Sequence, residues 1–277
     1  MDTRRGSGVV IMVFAVLGFS SSVAQGEEFN PGCTLPFDHI KEARPIDKNC
    51  GPGGNSMKAE SIAQNRAKNN FCADNKPVAV TFGAFKRLQS AAEKADIPFG
   101  SASRLPPDRS LLRKLSKEPS GTKLGEGTVV RFAAFIASAH FSNVGAGEAV
   151  NCKMGRQDNN DIHIALVYDK EEDDLCNSVT AEISPHFRPE VWEEITHNRF
   201  SKRPIRITGQ LFFDASHQPC KGAKRASPPR FSLWEIHPVY ALDVCKKKTL
   251  ASCKAGREAD WMPFDEWAGT YKEEEND

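Results

Sequence analysis

The spacing of apolar residues changes along the chain near residue 125. Before that point apolar positions recur at helical intervals, as Phe82, Phe85 and Leu88 illustrate. Thr81 and Asp108 stand where a helix N-cap belongs. The region 55–120 is therefore predicted to be helical, with helices in MKAESIAQNRAKNNF (57–71), TFGAFKRLQSAAEKA (81–95) and DRSLLRKL (108–115).

Beyond residue 125 apolar and polar residues alternate, which is typical of β-strands. Between the third and fourth alternating segments, RPEVWEEITHNRF predicts a short helix with Pro189 in its first turn. The predicted order over residues 125–250 is strand, strand, strand, helix, strand, strand. The five strand segments are GTVVRFAAFIASAHF, DIHIALVYD, SVTAEISPHF, PIRITGQLFFD and SLWEIHPVYALDVC.

This order of elements resembles that of the OB-fold, a small five-stranded barrel with a helix between its third and fourth strands. The resemblance covers residues 125–246 and rests on element order. It implies an α+β protein, in which an OB-like antiparallel barrel is joined to an N-terminal helical region and stapled by disulfides. An open antiparallel sheet with a helical layer and a different small barrel are the alternatives.

Side chains two apart on a strand share a face, so the alternation separates an apolar face from a polar one. On four of the strands the polar face carries acids, or an acid with a histidine, and we expect that face to be in contact with solvent. His217, in the loop after the fourth strand, can fold back over the same place. The residues of the predicted polar faces are Asp161 with His163, Glu182, Asp214, and Glu235 with His237.

Three of the seven histidines stand close to an acid in D-x-H, D-x-x-H and E-x-H contexts. A carboxylate that accepts one ring N–H leaves the other nitrogen free to bind a metal or take a proton. We therefore predict catalytic roles for His237 and Glu235 and a zinc or manganese site. Cross-strand pairs that stabilise the sheet are the alternative. The predicted metal ligands are His163, His237, Asp214, Glu182 and His217.

Pro238 directly follows His237 and has no N–H to donate to a sheet, so the last strand is predicted to lie at an edge or to bend there. The preceding loop, QPCKGAKRASPPR, is rich in basic residues. In OB-folds the loop between the last two strands borders the ligand groove. Arg225 and Arg230 of this loop, with Arg206 of the fourth strand, are the predicted contacts to an anionic ligand, and a solvated loop is the alternative.

The N-terminus has the pattern of a secretory signal peptide over residues 1–24, with two arginines, an apolar run and small residues before Ala24. The apolar run is shorter than the about 20 residues that a membrane-spanning helix needs. We expect a secreted or periplasmic protein with no membrane span after cleavage.

The cysteines all follow the predicted cleavage point, and their even number in an exported chain predicts disulfides. Their spacing leaves the pairing open. They are expected to tether an irregular segment, 25–54, and the chain is expected to end in a segment with an acidic tail, 251–277. The eight cysteines are Cys33, Cys50, Cys72, Cys152, Cys176, Cys220, Cys245 and Cys253.

Removing residues 1–24 leaves 35 basic and 35 acidic residues, and this balance argues against non-specific binding to nucleic acid. Two main functions follow from the patterns. One is an exported binding module for a peptide, a glycan or a small anionic ligand. The other is a metal-dependent hydrolase of phosphoesters that uses His163 and His237, and a metal-free reaction with His237 as general base is a third.

Two further resemblances bear on these functions. The element order is similar to that of the staphylococcal-type nucleases, but NVGAGEAVNC replaces the acidic calcium turn of that family, and its catalytic arginines have no match. The segments RITGQLFFDASH and WEIHPV resemble parts of exported bacterial proteins that have no assigned activity. The second resemblance implies a shared domain and no particular reaction.

Overall fold

The alternating segments form strands in a computed structural model that describes residues 27–197, 203–222 and 224–274. The predicted signal peptide lies outside the described residues. The helices are α1 (Ala59–Lys68), α2 (Phe82–Lys94) and α3 (Phe264–Glu274). The strands are β1 (Val78–Val80), β2 (Ser116–Lys117), β3 (Lys123–Leu124), β4 (Val129–Phe141), β5 (Ile162–Val167), β6 (Val179–Ile183), β7 (Ile205–Phe213), β8 (Trp234–Cys245) and β9 (Trp261–Pro263).

Five of these strands close into a barrel in the order β4, β5, β6, β8, β7 and back to β4. The first half of β4 pairs with β7 and its second half pairs with β5, and the β4–β5 pairing contains a register shift between Ile136 and Ser138. All the barrel pairs are antiparallel except β6 with β8, which run parallel. A 3-10 helix at Glu190–Thr196 lies between β6 and β7, with Pro189 as its N-cap residue. The predicted α+β class and OB-like barrel are confirmed.

The N-terminal region adds to this barrel and shares its core. β1 pairs in parallel with β4, and α2 packs beside that pair, with the ring of Phe85 centred 5.0 Å from that of Phe132. Thr81 occupies the N-cap position of α2 but makes no side-chain cap hydrogen bond. Asp108 does cap the next turn, a 3-10 helix at Arg109–Leu112. One hydrophobic cluster therefore runs from the helices into the barrel.

Pro238 lies inside the barrel sheet and not at an edge, because β8 is paired on one side with β6 and on the other with β7. The prediction of an edge strand is wrong, whereas the predicted bend is present as a register shift opposite Gly209 and Leu211. A Cβ atom at Gly209 would lie 2.5 Å from Ile236 Cγ2 and 2.6 Å from the Pro238 carbonyl oxygen. The two strands thus approach at a point that only glycine fits.

The polar faces of the barrel strands are covered by the N-terminal region. Gln210 on β7 donates to the carbonyl of Ala67 in α1 at 2.7 Å and accepts from Asn70 at 2.6 Å. Glu182 is 2% exposed, and Glu235 and His237 are fully buried. The prediction that this face meets solvent is therefore wrong, because it leaves out the segment that packs against it.

The chain contains four disulfides, of which the first two fasten the N-terminal region: Cys33–Cys72, Cys50–Cys152, Cys176–Cys220 and Cys245–Cys253. The predicted disulfide bonding is confirmed, and it is compatible with an oxidising location. Cys50–Cys152 has the largest sequence separation, 102 residues, and joins the N-terminal segment to the loop after β4.

The C-terminal segment docks on the barrel. β9 pairs with β8, which buries Trp261, and Phe264 at the start of α3 is fully buried. The helix continues to Glu274, so the first acidic residues of the predicted tail are helical, and residues 275–277 lie outside the described residues. No helix in the described part of the chain is long and apolar enough to cross a membrane.

Candidate metal centre and pocket

The register of three barrel strands brings two histidines to one carboxylate. His163 on β5 is directly opposite Glu182 on β6, and the parallel pairing of Ala181 with Ile236 places His237 beside the same glutamate. His163 Nε2 lies 3.3 Å from Glu182 Oε1, and His237 Nδ1 lies 2.7 Å from Glu182 Oε2. The polar faces of β5, β6 and β8 therefore converge.

Two further acids complete this group. Asp161 comes just before β5. Glu148 lies in the loop that the Cys50–Cys152 disulfide fastens, and Glu148 Oε1 lies 3.6 Å from His163 Nε2. Glu148, Asp161 and His163 offer ligand atoms within 4.8 Å of one another, and so do Asp161, Glu182 and His237. We call these five residues the acid–histidine cluster. Its nitrogen and oxygen atoms could hold a metal ion.

Several buried atoms of the cluster have no hydrogen-bond partner among the described residues. His237 Nδ1 lies 2.7 Å from Glu182 Oε2, but the contact lacks hydrogen-bond geometry. Buried polar atoms are nearly always hydrogen-bonded, so unpaired acceptors and imidazole nitrogens that face one another fit a bound cation. The atoms without a hydrogen bond are Asp161 Oδ2, His163 Nε2, Glu182 Oε2, His237 Nδ1, His237 Nε2 and, beside them, Asn151 Oδ1. Of these, Glu182 Oε2 has an ionic partner, the Lys68 ammonium at 2.9 Å.

Lys68, at the last turn of α1, reaches into the cluster with Nζ 2.9 Å from Glu182 Oε2. Burial disfavours its charge, but Glu182 and then Glu148 outweigh burial and raise the pKa of Lys68. Burial likewise disfavours ionised Glu182, yet His163 and Lys68 hold the pKa of that carboxyl well below its usual range. The two side chains form a buried ion pair.

At two other members of the cluster burial outweighs the contacts that favour the charged form. It raises the pKa of Asp161 well above its usual value, and the charge of Glu148 adds to the shift. It also lowers the pKa of His237, and the charge of Lys68 adds to that shift. His237 is therefore held as a neutral imidazole, which is the form that binds metal.

A second polar group adjoins the first and contains the remaining predicted residues. Arg230 is fully buried and donates to Asp214 Oδ2 at 2.6 Å and to Glu235. His217 Nδ1 lies 2.5 Å from Asp214 Oδ2. Among the described residues, Asp214 and His217 belong to no group of three ligand-bearing side chains, in contrast to the prediction. Glu235 pairs with Arg230 and not with His237, because successive odd positions of β8 meet different neighbours.

The two polar groups open into one pocket of about 360 Å³. Residues of the acid–histidine cluster form one part of its wall, and Asp214, His217 and Arg230 form another. Asp161 and His237 do not line the pocket and lie fully or almost fully buried behind the wall. The ionisable residues of the wall are Lys68, Glu148, Lys153, His163, Glu182, Asp214, His217 and Arg230.

The other two predicted ligand-binding arginines lie elsewhere. Arg206 is buried beside Trp261 and donates to Asp243 at 2.9 Å and to Glu258 at 2.8 Å. Arg225 is exposed and forms an ion pair with Asp174 at 2.9 Å. Neither lines the pocket, so Arg230 is the member of the predicted trio that the structure places at it.

Sequence reasoning missed Glu148, Lys68 and Asn151 as neighbours of the site. Glu148 stands in NVGAGEAVNC, where Gly147 adopts a positive φ of 67° that permits the turn before it. A cysteine four residues after Glu148 was the available signal, since a disulfide there fixes the loop. Lys68 has no comparable signal, because its partner lies 114 positions away in the chain.

Comparisons with known proteins do not place the chain in a family. No family model and no curated protein matches it. Among solved structures it is similar to one described as the crystal structure of yeast Stn1 and Ten1, with a TM-score of 0.29 and 10% identity over 66% of this chain and 70% of that chain. A similarity of this size supports no conclusion. The OB-like assignment rests on the strand order of the barrel itself.

Proposed function

We propose that the protein is a metal-dependent hydrolase that acts on small phosphoesters. The observation that carries the proposal is the set of buried, unpaired ligand atoms in the acid–histidine cluster beside an open pocket. Glu148, His163 and Glu182 line the pocket, whereas Asp161 and His237 lie behind its wall. Protein ligands would thus surround an ion on the buried side and leave a position facing the pocket, as catalytic metal sites do.

The donor set favours zinc or manganese. Two imidazoles and three carboxylates suit these ions, whereas calcium prefers oxygen ligands. All eight cysteines are disulfide-bonded, so no thiolate competes for the ion. A divalent ion held by this cluster would lower the pKa of a water molecule in the pocket towards neutrality.

The charges of the pocket support an anionic substrate. Lys68, Lys153 and Arg230 line it with three acids, and a divalent ion would give the wall a net positive charge. A pocket of about 360 Å³ accommodates a small molecule. Phosphoesters combine this size with a negative charge that both the ion and the basic side chains attract.

Metal content and metal affinity test the first half of the proposal. The oxidised protein is purified without chelator, its zinc and manganese are measured by mass spectrometry, and each ion is titrated by calorimetry. We expect one ion per chain and an affinity that falls at least about 100-fold in His237→Gln, since loss of even an outer-shell partner of a metal ligand costs about 10- to 100-fold. His197→Gln is the matched control, because His197 is exposed and far from the pocket lining.

Hydrolysis of bis(4-nitrophenyl) phosphate with and without added metal tests the second half. Activity that requires the ion and is lost in His237→Gln supports the proposal. A protein that binds no ion, or binds it equally well in His237→Gln, would contradict it.

A metal-free binding module is the second candidate function, and Lys68 is the observation that favours it. Its ammonium group already lies 2.9 Å from Glu182 and supplies a positive charge inside the cluster. In that case inorganic phosphate or a phosphate monoester would bind stoichiometrically in the presence of a chelator. Lys68→Met would abolish this binding, whereas added zinc would leave it unchanged.

We also infer that the protein acts outside the cytoplasm. Its four disulfides and the predicted signal peptide support this location. Expression of the full chain with a C-terminal tag, followed by fractionation and N-terminal sequencing, tests it. Exported protein that begins after Ala24 is expected, and uncleaved cytoplasmic protein would contradict the inference.

A further inference from the structure

Asp214 and His217 form a hydrogen-bonded pair that the acid–histidine cluster does not include. Asp214 follows β7 directly, and the turn after it brings His217 back so that Nδ1 lies 2.5 Å from Asp214 Oδ2. The other carboxylate oxygen, Oδ1, accepts from the hydroxyl of Ser216 at 2.5 Å. Both oxygens of Asp214 are thus engaged within a four-residue segment.

Arg230 also contacts the acid of this pair, at the same oxygen as His217. Its Nη2 donates to Asp214 Oδ2 at 2.6 Å, and its Nη1 is held by Glu235. Burial disfavours ionised Asp214, but Arg230 and the hydrogen bond from His217 outweigh it and hold the pKa of Asp214 well below its usual range. Asp214 therefore stays a carboxylate and accepts the Nδ1 proton of His217.

The imidazole of the pair is accessible while its carboxylate is not. The side chain of His217 is 44% exposed and that of Asp214 is 5% exposed. A carboxylate on Nδ1 fixes the tautomer and leaves Nε2 as the atom that exchanges protons with a ligand. Among the described residues no hydrogen bond engages His217 Nε2.

The pair shares its pocket with the acid–histidine cluster but reaches it from a different strand. His163 and Glu182 lie on β5 and β6, whereas Asp214 and His217 follow β7. In-line displacement at phosphorus places the attacking and leaving oxygens on opposite sides. A substrate that meets an activated water at the cluster can therefore turn its leaving oxygen towards His217.

We propose that His217, positioned by Asp214, is the general acid that protonates the leaving group of a phosphodiester in this pocket. This inference rests on the hydrolase function proposed above. A new P–O bond forms to water, and the bond between phosphorus and the leaving oxygen breaks with its electron pair on that oxygen. His217 Nε2 gives its proton to the leaving alcohol, and the proton released from water returns the histidine to its acid form.

The pH dependence of this step reflects every charged group around His217. Asp214 and Arg230 contact it or its partner, and both favour a fixed orientation. The other charged or titratable groups of the pocket wall come from α1, from the loop after β4, and from β5 and β6. They are Lys68, Glu148, Lys153, His163 and Glu182.

A pair of esters with different leaving groups tests the proposal in the metal-loaded, oxidised protein. Bis(4-nitrophenyl) phosphate releases a weakly basic phenolate that needs little protonation, whereas diphenyl phosphate releases a more basic one. A general acid contributes about 10²- to 10⁴-fold. In His217→Gln we expect hydrolysis of diphenyl phosphate to fall at least about 100-fold, hydrolysis of the nitrophenyl ester to fall less than about tenfold, and the basic limb of the pH profile to disappear.

A second measurement does not depend on turnover. Nitrogen-15 spectra of the histidine side chains should show His217 with its neutral proton on Nδ1, and phenylphosphonate should shift the Nε2 signal. His197→Gln is the control for both measurements, because His197 is a surface residue outside this pocket.

The outcomes separate this inference from the function on which it rests. A protein that takes up metal and hydrolyses both esters, but in which His217→Gln affects the two esters equally, overturns the inference alone. An Nε2 signal that phenylphosphonate leaves unchanged also overturns it alone. A protein that binds no metal or hydrolyses neither ester overturns both proposals.

Discussion

His237 Nδ1 on β8 lies 2.7 Å from Glu182 Oε2 on β6, across the parallel pair of strands in the barrel. The contact joins two strands that are separated by the loop, helix and strand between them in the chain. Pairing of β6 with β8 therefore brings these two members of the acid–histidine cluster together.

Removing only one charge of the ion pair between Lys68 and Glu182 should destabilise the folded protein. Glu182→Gln leaves the Lys68 ammonium without its nearest carboxylate, which is 2.9 Å away, and we expect the free energy of unfolding to fall by about 3–5 kcal/mol. Adding Lys68→Met removes the stranded charge and should recover most of that loss. Urea unfolding of the metal-free protein measures both variants. Losses that simply add in the double variant would show that the two side chains do not depend on each other.

Asp161→Asn should stabilise the metal-free protein at neutral pH. Burial raises the pKa of Asp161, so the folded state keeps a proton that the unfolded state loses above pH 3.8. The stability of the wild type therefore decreases as pH rises from 3.8 towards the folded-state pKa, and asparagine carries no such cost. We expect a gain of about 1 kcal/mol or more at pH 7, since one pKa unit corresponds to about 1.4 kcal/mol.

The hydrogen bond from Asn151 can persist in this variant, because asparagine keeps the Oδ1 acceptor. Urea unfolding at pH 3 and pH 7 provides the comparison, and the gain should vanish at pH 3. The same variant should lose metal affinity, because an amide cannot replace the carboxylate charge. A variant that is less stable than the wild type at pH 7 would contradict the assignment of a protonated Asp161.

The two disulfides with the most different loop lengths should contribute unequally. Cys50–Cys152 closes a span of 102 residues and Cys245–Cys253 a span of 8. Loop-closure entropy then predicts that replacing the first pair by serines costs about 2 kcal/mol more than replacing the second. Chemical unfolding of the two double variants measures the difference. Loss of the first disulfide should also weaken metal binding, since it frees the loop that carries Glu148.

Gly209→Ala should destabilise the barrel, because its new methyl group would lie 2.6 Å from the Pro238 carbonyl oxygen and 2.5 Å from Ile236 Cγ2. We expect a loss of about 1–3 kcal/mol in unfolding free energy. Gly269→Ala is the matched control: Gly269 lies in α3 with no atom within 4 Å of the added Cβ. The same substitution there should raise stability by about 0.5–1 kcal/mol. Thermal unfolding of both variants is sufficient to observe the opposite signs.

The sequence was sufficient to predict the barrel because its strands alternate strongly. Ile162, Ile164 and Leu166 recur at every second position of β5 and are all buried, so period two marks the strand and its inner face. The same alternation predicted that His163, Glu182 and His237 lie on the polar faces of their strands. It could not give their spacing, which depends on the register between β5, β6 and β8.

The remaining features depend on contacts between distant segments. Gln210 and Glu182 are in contact with Ala67 and Lys68 of α1, and nothing in β6 or β7 itself encodes those contacts. The register shifts opposite Gly209 likewise arise between two strands. Asp214 and His217 were predicted to be metal ligands but form a hydrogen-bonded pair. The spacing of an acid and a histidine along one segment is the same in both cases, so the sequence does not distinguish them.

The cover over the barrel has a consequence for how the protein opens. The residues of the acid–histidine cluster, together with Lys68, lie on five segments: α1, the loop after β4, β5, β6 and β8. Detachment of any one of these segments would expose the charges of the cluster to water. Partial unfolding and loss of the site are therefore coupled, and amide hydrogens of β6 and β8 should exchange only through openings nearly as costly as complete unfolding. A protease cut in residues 27–55 should therefore weaken the site although no residue of that segment lines the pocket.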